Sequence, residues 1–293
     1  MRPGYPFLHP FTILFYFMGY ALLSIVLLHP IYLITGILGI ILINYSIDRT
    51  RFLRGFLPFY LLTGVTIALV NPLFTHRGRH ILFYFLNQPI TAESVMYGIT
   101  MMLSLLNILI CSAAYNQEMT SGKFLFLFSR AFQKTGLLLM LSIRFVPLFK
   151  RRMEEIRTVQ MTRDINPLEG RLRKRIKDAT VLIQILITWS LEEALQTADS
   201  MKARGYGMDN RRGSYMPYRM RSQDFLTLGL LLVSGGVCIG GWLHGYGTLA
   251  IYPSLEWHPF THTQWIIYCS FILFMVTPLL IKGKEAQKWK FWN

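Results

Sequence analysis

Long apolar stretches alternate with one polar block along this chain. Six stretches are apolar enough to cross a bilayer, which takes about 17–25 residues as a helix. They are 11–28, 31–47, 56–71, 94–115, 224–243 and 264–281. The second and third are short for a span, and the segment 72–93 between the third and fourth is predicted to be re-entrant or interfacial. The pattern predicts an all-α membrane protein with about six transmembrane helices.

The polar block lies between the fourth and fifth apolar stretches. Residues 116–222 contain 20 of the 30 Lys and Arg residues. Apolar positions recur there with helical spacing over 135–163 and 171–204, so we expect two long helices. The predicted domains are an N-terminal membrane region with about four spans, 1–115, a cytosolic domain with the two long helices, 116–222, and a C-terminal two-span region with a basic tail, 223–293.

Two features of the long helices predict their shape and packing. Pro147 lies inside the first helix, where it predicts a kink. Ser190, Ala194 and Ala198 follow one another at four-residue spacing in the second helix. Small side chains let helix axes approach closely, so we expect the two long helices to cross near these three residues.

Composition and charge narrow the class of protein. Apolar residues make up 53% and charged residues 15% of the chain, which excludes an ordinary soluble domain. The net charge of +15 alternates with the apolar stretches, so membrane orientation explains it better than nucleic-acid binding. With six spans and both termini in the cytosol, Arg77 and Arg79 are the two Lys and Arg residues that lie on the outer side of the membrane. We therefore expect the bilayer, and no nucleic acid, among the partners.

Each long helix ends in an arginine at a break in the chain. The endings read Thr162-Arg163-Asp164 and Ala203-Arg204-Gly205. An arginine in the last turn followed by glycine is also how an ordinary helix stops. Repetition of this ending in one cytosolic block favours a docking role instead, because the planar guanidinium binds a carboxylate through two hydrogen bonds.

Several motifs between about residues 70 and 210 accompany these endings. They are Asn71-Pro72-Leu73-Phe74 with Gly78, Ile90-Thr91 with Glu93 and Gly98, Ile143-Arg144-Phe145-Val146-Pro147, Leu191-Glu192, and Met201-Lys202-Ala203-Arg204-Gly205-Tyr206-Gly207. Together with Arg163 they resemble the transmembrane coupling subunit, or T component, of energy-coupling-factor transporters. The usual small-Arg-Gly ending reads Thr162-Arg163-Asp164 here. Asp164 is expected either to pair with Arg163 and weaken docking, or to indicate a dedicated partner.

The resemblance implies a multi-pass subunit in a bacterial or archaeal plasma membrane. Two cytosolic ATP-binding-cassette ATPases hydrolyse ATP, and a membrane substrate-binding (S) subunit takes up a vitamin or a transition-metal ion. The T component joins them, and ATP draws its two helix ends together. The implied ATPase-docking residues are Thr162, Arg163, Ala203, Arg204 and Gly205. The face from Leu137 to Phe149 and the segment from Val181 to Leu191 are the expected contacts with the S subunit.

Two other functions stay open at this stage. A membrane-embedded enzyme would use the carboxylates of Glu154, Glu155, Glu192 and Glu193. Surface pairing with neighbouring Arg and Lys is the plainer explanation of these residues. A stand-alone channel or carrier is disfavoured, because the clearest spans carry almost no charge.

Chemistry within the chain itself is not expected. It lacks a phosphate-binding Gly-x-x-x-x-Gly-Lys-Ser/Thr loop, so we expect no ATP hydrolysis, no catalytic residue and no cofactor. The pairs His76/His80 and His258/His262 have the four-residue spacing of metal ligands on a helix. We interpret them as interfacial histidines and expect no metal site.

Overall fold

The computed structural model describes residues 8–48, 51–75, 78–85, 88–131, 133–206, 218, 220–249, 251 and 261–290. Its helices are α1 (Pro10–Val26), α2 (Pro30–Asp48), α3 (Arg51–Phe74), α4 (Ala92–Glu118), α5 (Ser121–Ala131), α6 (Gln133–Met161), α7 (Leu172–Ala203), α8 (Ser222–Leu243) and α9 (His262–Lys290). Two short strands, β1 (Ile81–Phe85) and β2 (Gln88–Thr91), lie between α3 and α4. The described part of the chain is therefore predominantly helical, as the apolar pattern predicts.

Four helices are long and apolar enough to cross a membrane. They are Gly55–Phe74 of α3, all of α4 and α8, and His262–Ile281 of α9. Two shorter apolar helices, Pro10–Val26 and Pro30–Tyr45, precede them. These helices confirm a multi-pass, all-α membrane protein.

The chain divides into two compact units. The first comprises Met1–Phe124 and Tyr218–Asn293, and the second comprises Leu125–Pro217. In the first unit α1 packs against α4 and α8, α2 packs against α4 and α9, and α3 packs against α4. The apolar helices at the two ends of the sequence thus form one body.

Aromatic rings and one polar cluster fill the centre of the first unit. The ring of Tyr16 stacks on that of Phe274, with centroids 5.6 Å apart. The Tyr20 hydroxyl donates to Asn107 Oδ1 at 2.6 Å, and Asn107 Nδ2 donates to the Leu33 carbonyl at 2.9 Å. These two bonds join α1, α2 and α4, and they satisfy polar groups that would be costly to leave unpaired in an apolar interior.

The segment 72–93, predicted to be re-entrant or interfacial, contains the end of α3 and an antiparallel hairpin of β1 and β2. The carboxylate of Glu93 is fully buried behind this hairpin. It accepts hydrogen bonds from the backbone N–H groups of Arg79 and His80, each at 3.2 Å. Gly78 approaches so closely that a Cβ there would lie 2.5 Å from Glu93 Oε2. Gly78 and Glu93, two of the motif residues, therefore hold the chain between α3 and α4.

A second buried carboxylate ties α1 to α8. Asp224 is 1% exposed. Its Oδ1 accepts from the backbone N–H of His9 at 2.8 Å, and its Oδ2 accepts from that of Arg221 at 2.9 Å. His9 precedes α1 and Arg221 precedes α8, so one carboxylate serves the N-termini of both helices, where negative charge is favourable.

Candidate functional site

The second unit contains the two long helices, α6 and α7, whose bounds agree within two residues with the predicted segments 135–163 and 171–204. The helix α6 continues through Pro147. The Phe149 ring meets the Trp189 ring edge-on, with centroids 6.0 Å apart. The Arg152 guanidinium lies 5.1 Å from the centre of the Trp189 ring.

The loop that connects the two helices contacts the start of α7. There the backbone N–H of Asn166 donates to Asp178 Oδ2 at 3.2 Å. Phe149 and Arg152 of α6 thus meet Trp189 in the second half of α7, whereas the loop after α6 meets the start of α7, so the two helices run antiparallel. Among the contacts between α6, the loop and α7 described above, Trp189 is the α7 residue nearest the C-terminus of that helix. Ser190 is half-buried and Ala194 and Ala198 are exposed, and the crossing near these three residues stays a prediction.

The end of α7 has a specific hydrogen-bond pattern. The N–H of Tyr206 bonds to the Met201 carbonyl at 3.0 Å, and the N–H of Gly205 bonds to the Lys202 carbonyl at 2.9 Å. Gly205 adopts a left-handed conformation with φ of 77°. This is a Schellman motif, in which Arg204 is the last residue before the left-handed position. Arg204 is exposed.

The end of α6 repeats that pattern residue for residue. The N–H of Ile165 bonds to the Gln160 carbonyl at 3.2 Å, and the N–H of Asp164 bonds to the Met161 carbonyl at 3.2 Å. Asp164 has a φ of 59° and occupies the position that Gly205 has in α7. Asp is one of the few residues besides Gly that adopt this conformation. Arg163 is therefore presented by the same backbone turn as Arg204, and the departure from the usual Gly keeps the geometry.

The side chain of Asp164 does not pair with Arg163, which was one of its two expected roles. Its Oδ2 instead lies 3.3 Å from Lys174 Nζ. Both groups are exposed, so this ion pair contributes at most about 1 kcal/mol. The exposed guanidinium of Arg163 makes no hydrogen bond or ion pair with any described residue.

The loop that follows Arg163 is fastened to the start of α7. Besides the bond from Asn166 to the buried carboxylate of Asp178, Arg175 Nε donates to the Pro167 carbonyl at 3.0 Å. Sequence reasoning missed these residues. The available signal was Asp178 itself, an acidic residue directly after a run of cations. The loop thus holds Arg163 at a fixed place on α7.

The two arginines lie at opposite ends of α7. Asp164, next to Arg163, contacts Lys174 in the first turn, and Arg204 follows the last turn. The 32 residues of α7 at 1.5 Å each separate the ends by about 48 Å. The helix length therefore sets the spacing of the two sites.

Apolar side chains are exposed along α7 between these ends. Ile183 is 49%, Ile187 is 53% and Leu191 is 62% exposed. On α6, Val146 is 68% exposed within the face from Leu137 to Phe149. An apolar row of this extent is typical of a surface that contacts a protein or a membrane.

Three of the four glutamates of the alternative enzyme are exposed. Glu155 pairs with Arg152 at 2.7 Å, and Glu154 and Glu192 are exposed on the helix surfaces. The described residues contain no group of three His, Cys, Asp or Glu side chains that could hold a metal ion. His76 and His258, one member of each histidine pair, lie outside the described residues.

Comparison with known proteins identifies the family of this chain. A family model described as "Cobalt transport protein" (CbiQ) matches residues 8–215. The energy-coupling factor transporter transmembrane protein EcfT of Lactococcus lactis subsp. cremoris is 26% identical over 206 residues, which cover 67% of this chain and 76% of that protein. The protein of the same description from Bacillus selenitireducens is 32% identical over 101 residues, covering 33% of this chain and only 37% of its own length.

The family match includes the apolar helices from α1 to α4 and both arginine-ended helices. It thus includes most of the described chain and every residue of the two helix endings. The chain belongs to the CbiQ family of cobalt transport proteins and is a transmembrane T component of energy-coupling-factor transporters.

Proposed function

We propose that this chain couples two cytosolic ATP-binding-cassette ATPases to a membrane S subunit that takes up a vitamin or a transition-metal ion. The observation that carries the proposal is the pair of identically built helix ends. Each presents an exposed arginine, Arg163 or Arg204, at the same position of a Schellman motif. A shared backbone geometry at two separate sites is expected if both sites fit grooves of the same kind. The chain itself carries no catalytic role in this scheme.

The six-span topology belongs to the same proposal. The shorter helix Pro10–Val26 extends about 26 Å, close to the hydrocarbon thickness of about 30 Å. It packs in one unit with the longer apolar helices, as α2 does. With α1 and α2 as spans, both termini and the basic domain 116–222 lie in the cytosol, in agreement with the distribution of Lys and Arg.

The separation of the two ends changes the expected motion. The resemblance implied that ATP draws the ends together. Because α7 is one continuous helix between them, they cannot approach without bending it. We propose instead that closure of the ATPases tilts the α6–α7 pair as a unit. The tilt moves the exposed row of Ile183, Ile187 and Leu191 against the S subunit and reorients it.

Charge reversal at the helix ends tests the proposal. This chain is co-expressed with candidate ATPases and an S subunit, and the complex is isolated through a tag on this chain. We expect Arg204→Glu and Arg163→Glu each to reduce the retained ATPase at least about tenfold, because each would place a carboxylate where a guanidinium binds an acceptor. The matched control is Arg151→Glu, a reversal at an exposed position in the middle of α6.

The outcomes are distinct. Loss of ATPase with the two end reversals, but not with Arg151→Glu, supports docking at both ends. If the wild-type chain retains no ATPase, or if the end reversals retain as much as the control, the arginines only stop their helices and the proposed function is wrong.

A further inference from the structure

The start of α7 carries an unusual concentration of positive charge. Its cations, all exposed, are Arg171, Arg173, Lys174, Arg175 and Lys177. Two of them hold the preceding loop: Lys174 pairs with Asp164, and Arg175 donates to the Pro167 carbonyl. The side chains of the other three make no hydrogen bond or ion pair within the part of the chain that the structure describes. We call Arg171, Arg173 and Lys177 the cationic strip.

The strip opposes the local electrostatics of its own helix. The N-terminus of a helix carries partial positive charge and favours acidic residues. The first turn of α7 contains no acidic residue, and the side chain of its N-cap, Arg171, makes no capping bond. Cations at this position therefore weaken the isolated helix. Local rules broken in this way are expected at functional sites, where a partner supplies the compensation.

The other docking end does not share this feature. The last turn of α7 has Lys202, followed by Arg204, and the acidic Asp199 lies nearby. Cations at a helix C-terminus are favourable without any partner. The two ends thus have the same backbone turn and different charge, and only the cations at the Arg163 end lack favourable electrostatics within their own helix.

The chemistry of the strip specifies an anionic partner, and its position specifies which one. Lys174 and Arg175 fasten the loop carrying Arg163 to the same helical turns that carry the strip. A protein that receives Arg163 in a groove therefore meets the first turns of α7, where Arg173 and Lys177, four residues apart, share one face. Resting on the proposed function, we propose that the strip binds carboxylates on the rim of the ATPase groove that receives Arg163, as a second docking contact that the Arg204 end lacks.

This contact has a measurable signature. Charge pairs at the rim of an interface steer association and weaken as salt rises. The Arg163 end therefore binds its ATPase with a stronger dependence on ionic strength than the Arg204 end does. It also prefers the ATPase with the more acidic groove, so the two ATPases of the pair bind in a fixed order.

The test uses the full chain with its co-expressed ATPases in a neutral detergent without added lipid. The variant is Arg171→Gln/Arg173→Gln/Lys177→Gln. The control, Lys150→Gln/Arg151→Gln, removes exposed cations from the middle of α6. ATPase affinity is measured at 50 mM and 500 mM salt. We expect the strip variant to bind about tenfold more weakly at low salt, with a much smaller difference at high salt, and the control to match wild type.

Three results would overturn the inference. Wild-type affinity of the strip variant at both salt concentrations shows that the strip does not contact the ATPase. Equal weakening by strip and control variants shows an effect of net charge alone. A defect that appears only in nanodiscs containing phosphatidylglycerol, and not in neutral detergent, assigns the strip to anionic lipid, which a basic helix with exposed Leu172 and Ile176 also suits.

The test also separates this inference from the proposed function. If Arg163→Glu abolishes ATPase binding while the strip variant binds normally, docking at Arg163 is supported and the proposed contact of the cationic strip is wrong. If Arg163→Glu also binds ATPase normally, the proposed function is wrong, and so is the inference that the cationic strip contacts the ATPase.

Discussion

Replacement of Asp224 by alanine is expected to lower the free energy of unfolding by about 3 kcal/mol. The carboxylate is buried and accepts hydrogen bonds from the backbone N–H groups of His9 and Arg221. Its removal leaves two donors unpaired at the starts of two helices, and each unpaired buried group costs about 1–3 kcal/mol. It also removes the negative charge that both helix N-termini favour. Thermal or denaturant unfolding in detergent measures the effect.

Two controls make this prediction specific. Asp224→Asn keeps one acceptor oxygen and loses the charge, so we expect about half the effect. Asp199→Ala removes an exposed carboxylate from α7 and is expected to change stability by less than about 0.5 kcal/mol. If Asp224→Ala is no more damaging than Asp199→Ala, the carboxylate does not join α1 to α8.

Replacement of Gly98 by alanine is the second change with a large expected effect. A Cβ at Gly98 would lie 2.9 Å from the backbone carbonyl oxygen of Ala68, so α4 and α3 would have to move apart. A backbone atom cannot rotate away as a side chain can. Overpacking of this kind costs about 1–3 kcal/mol, which outweighs the gain of up to about 1 kcal/mol from higher helix propensity.

The matched control for Gly98 is a glycine in open space. A Cβ at Gly229, inside α8, meets nothing within 4 Å. Gly229→Ala should therefore leave stability unchanged or raise it by up to about 1 kcal/mol. We expect Gly98→Ala to lower the unfolding temperature and Gly229→Ala to leave it unchanged or raise it. Shifts of the same sign and size would contradict the close approach of α3 and α4.

The sequence predicts the helices well where the hydrophobic period is long. Both long cytosolic segments appear in the structure as α6 and α7, within two residues of the predicted bounds. The last apolar stretch, 264–281, nearly coincides with His262–Ile281 of α9. A period sustained over 15 or more residues has few competing explanations, and this is why these elements are predictable.

Short apolar segments are harder to predict. The run Ile81–Phe85 is continuously apolar and shows neither alternation nor a helical period, so it is compatible with a strand or a membrane-inserted segment. The structure pairs it with Gln88–Thr91 as a hairpin. Pairing of two strands across a turn depends on tertiary contacts, and the sequence of one strand does not determine it.

Long-range polar contacts could not be predicted either. His9 and Asp224 are 215 residues apart in sequence, and neither position signals the other. At the candidate site, the arginines and their shared ending are visible in the sequence. The left-handed conformation of Asp164 and the anchoring of its loop by Asp178 are not, because they depend on how the chain folds back onto α7.

The central claim is that one copy of this chain bridges two ATPases through the two ends of α7. Photo-crosslinking residues placed at Thr162 and Ala203, beside the docking arginines, test it most directly. In the assembled complex of the doubly substituted chain, we expect irradiation to give a covalent product that contains one copy of this chain and two ATPase subunits. Each singly substituted chain should give a product with one. Crosslinks to lipid alone, or to an ATPase from only one of the two positions, would contradict the account.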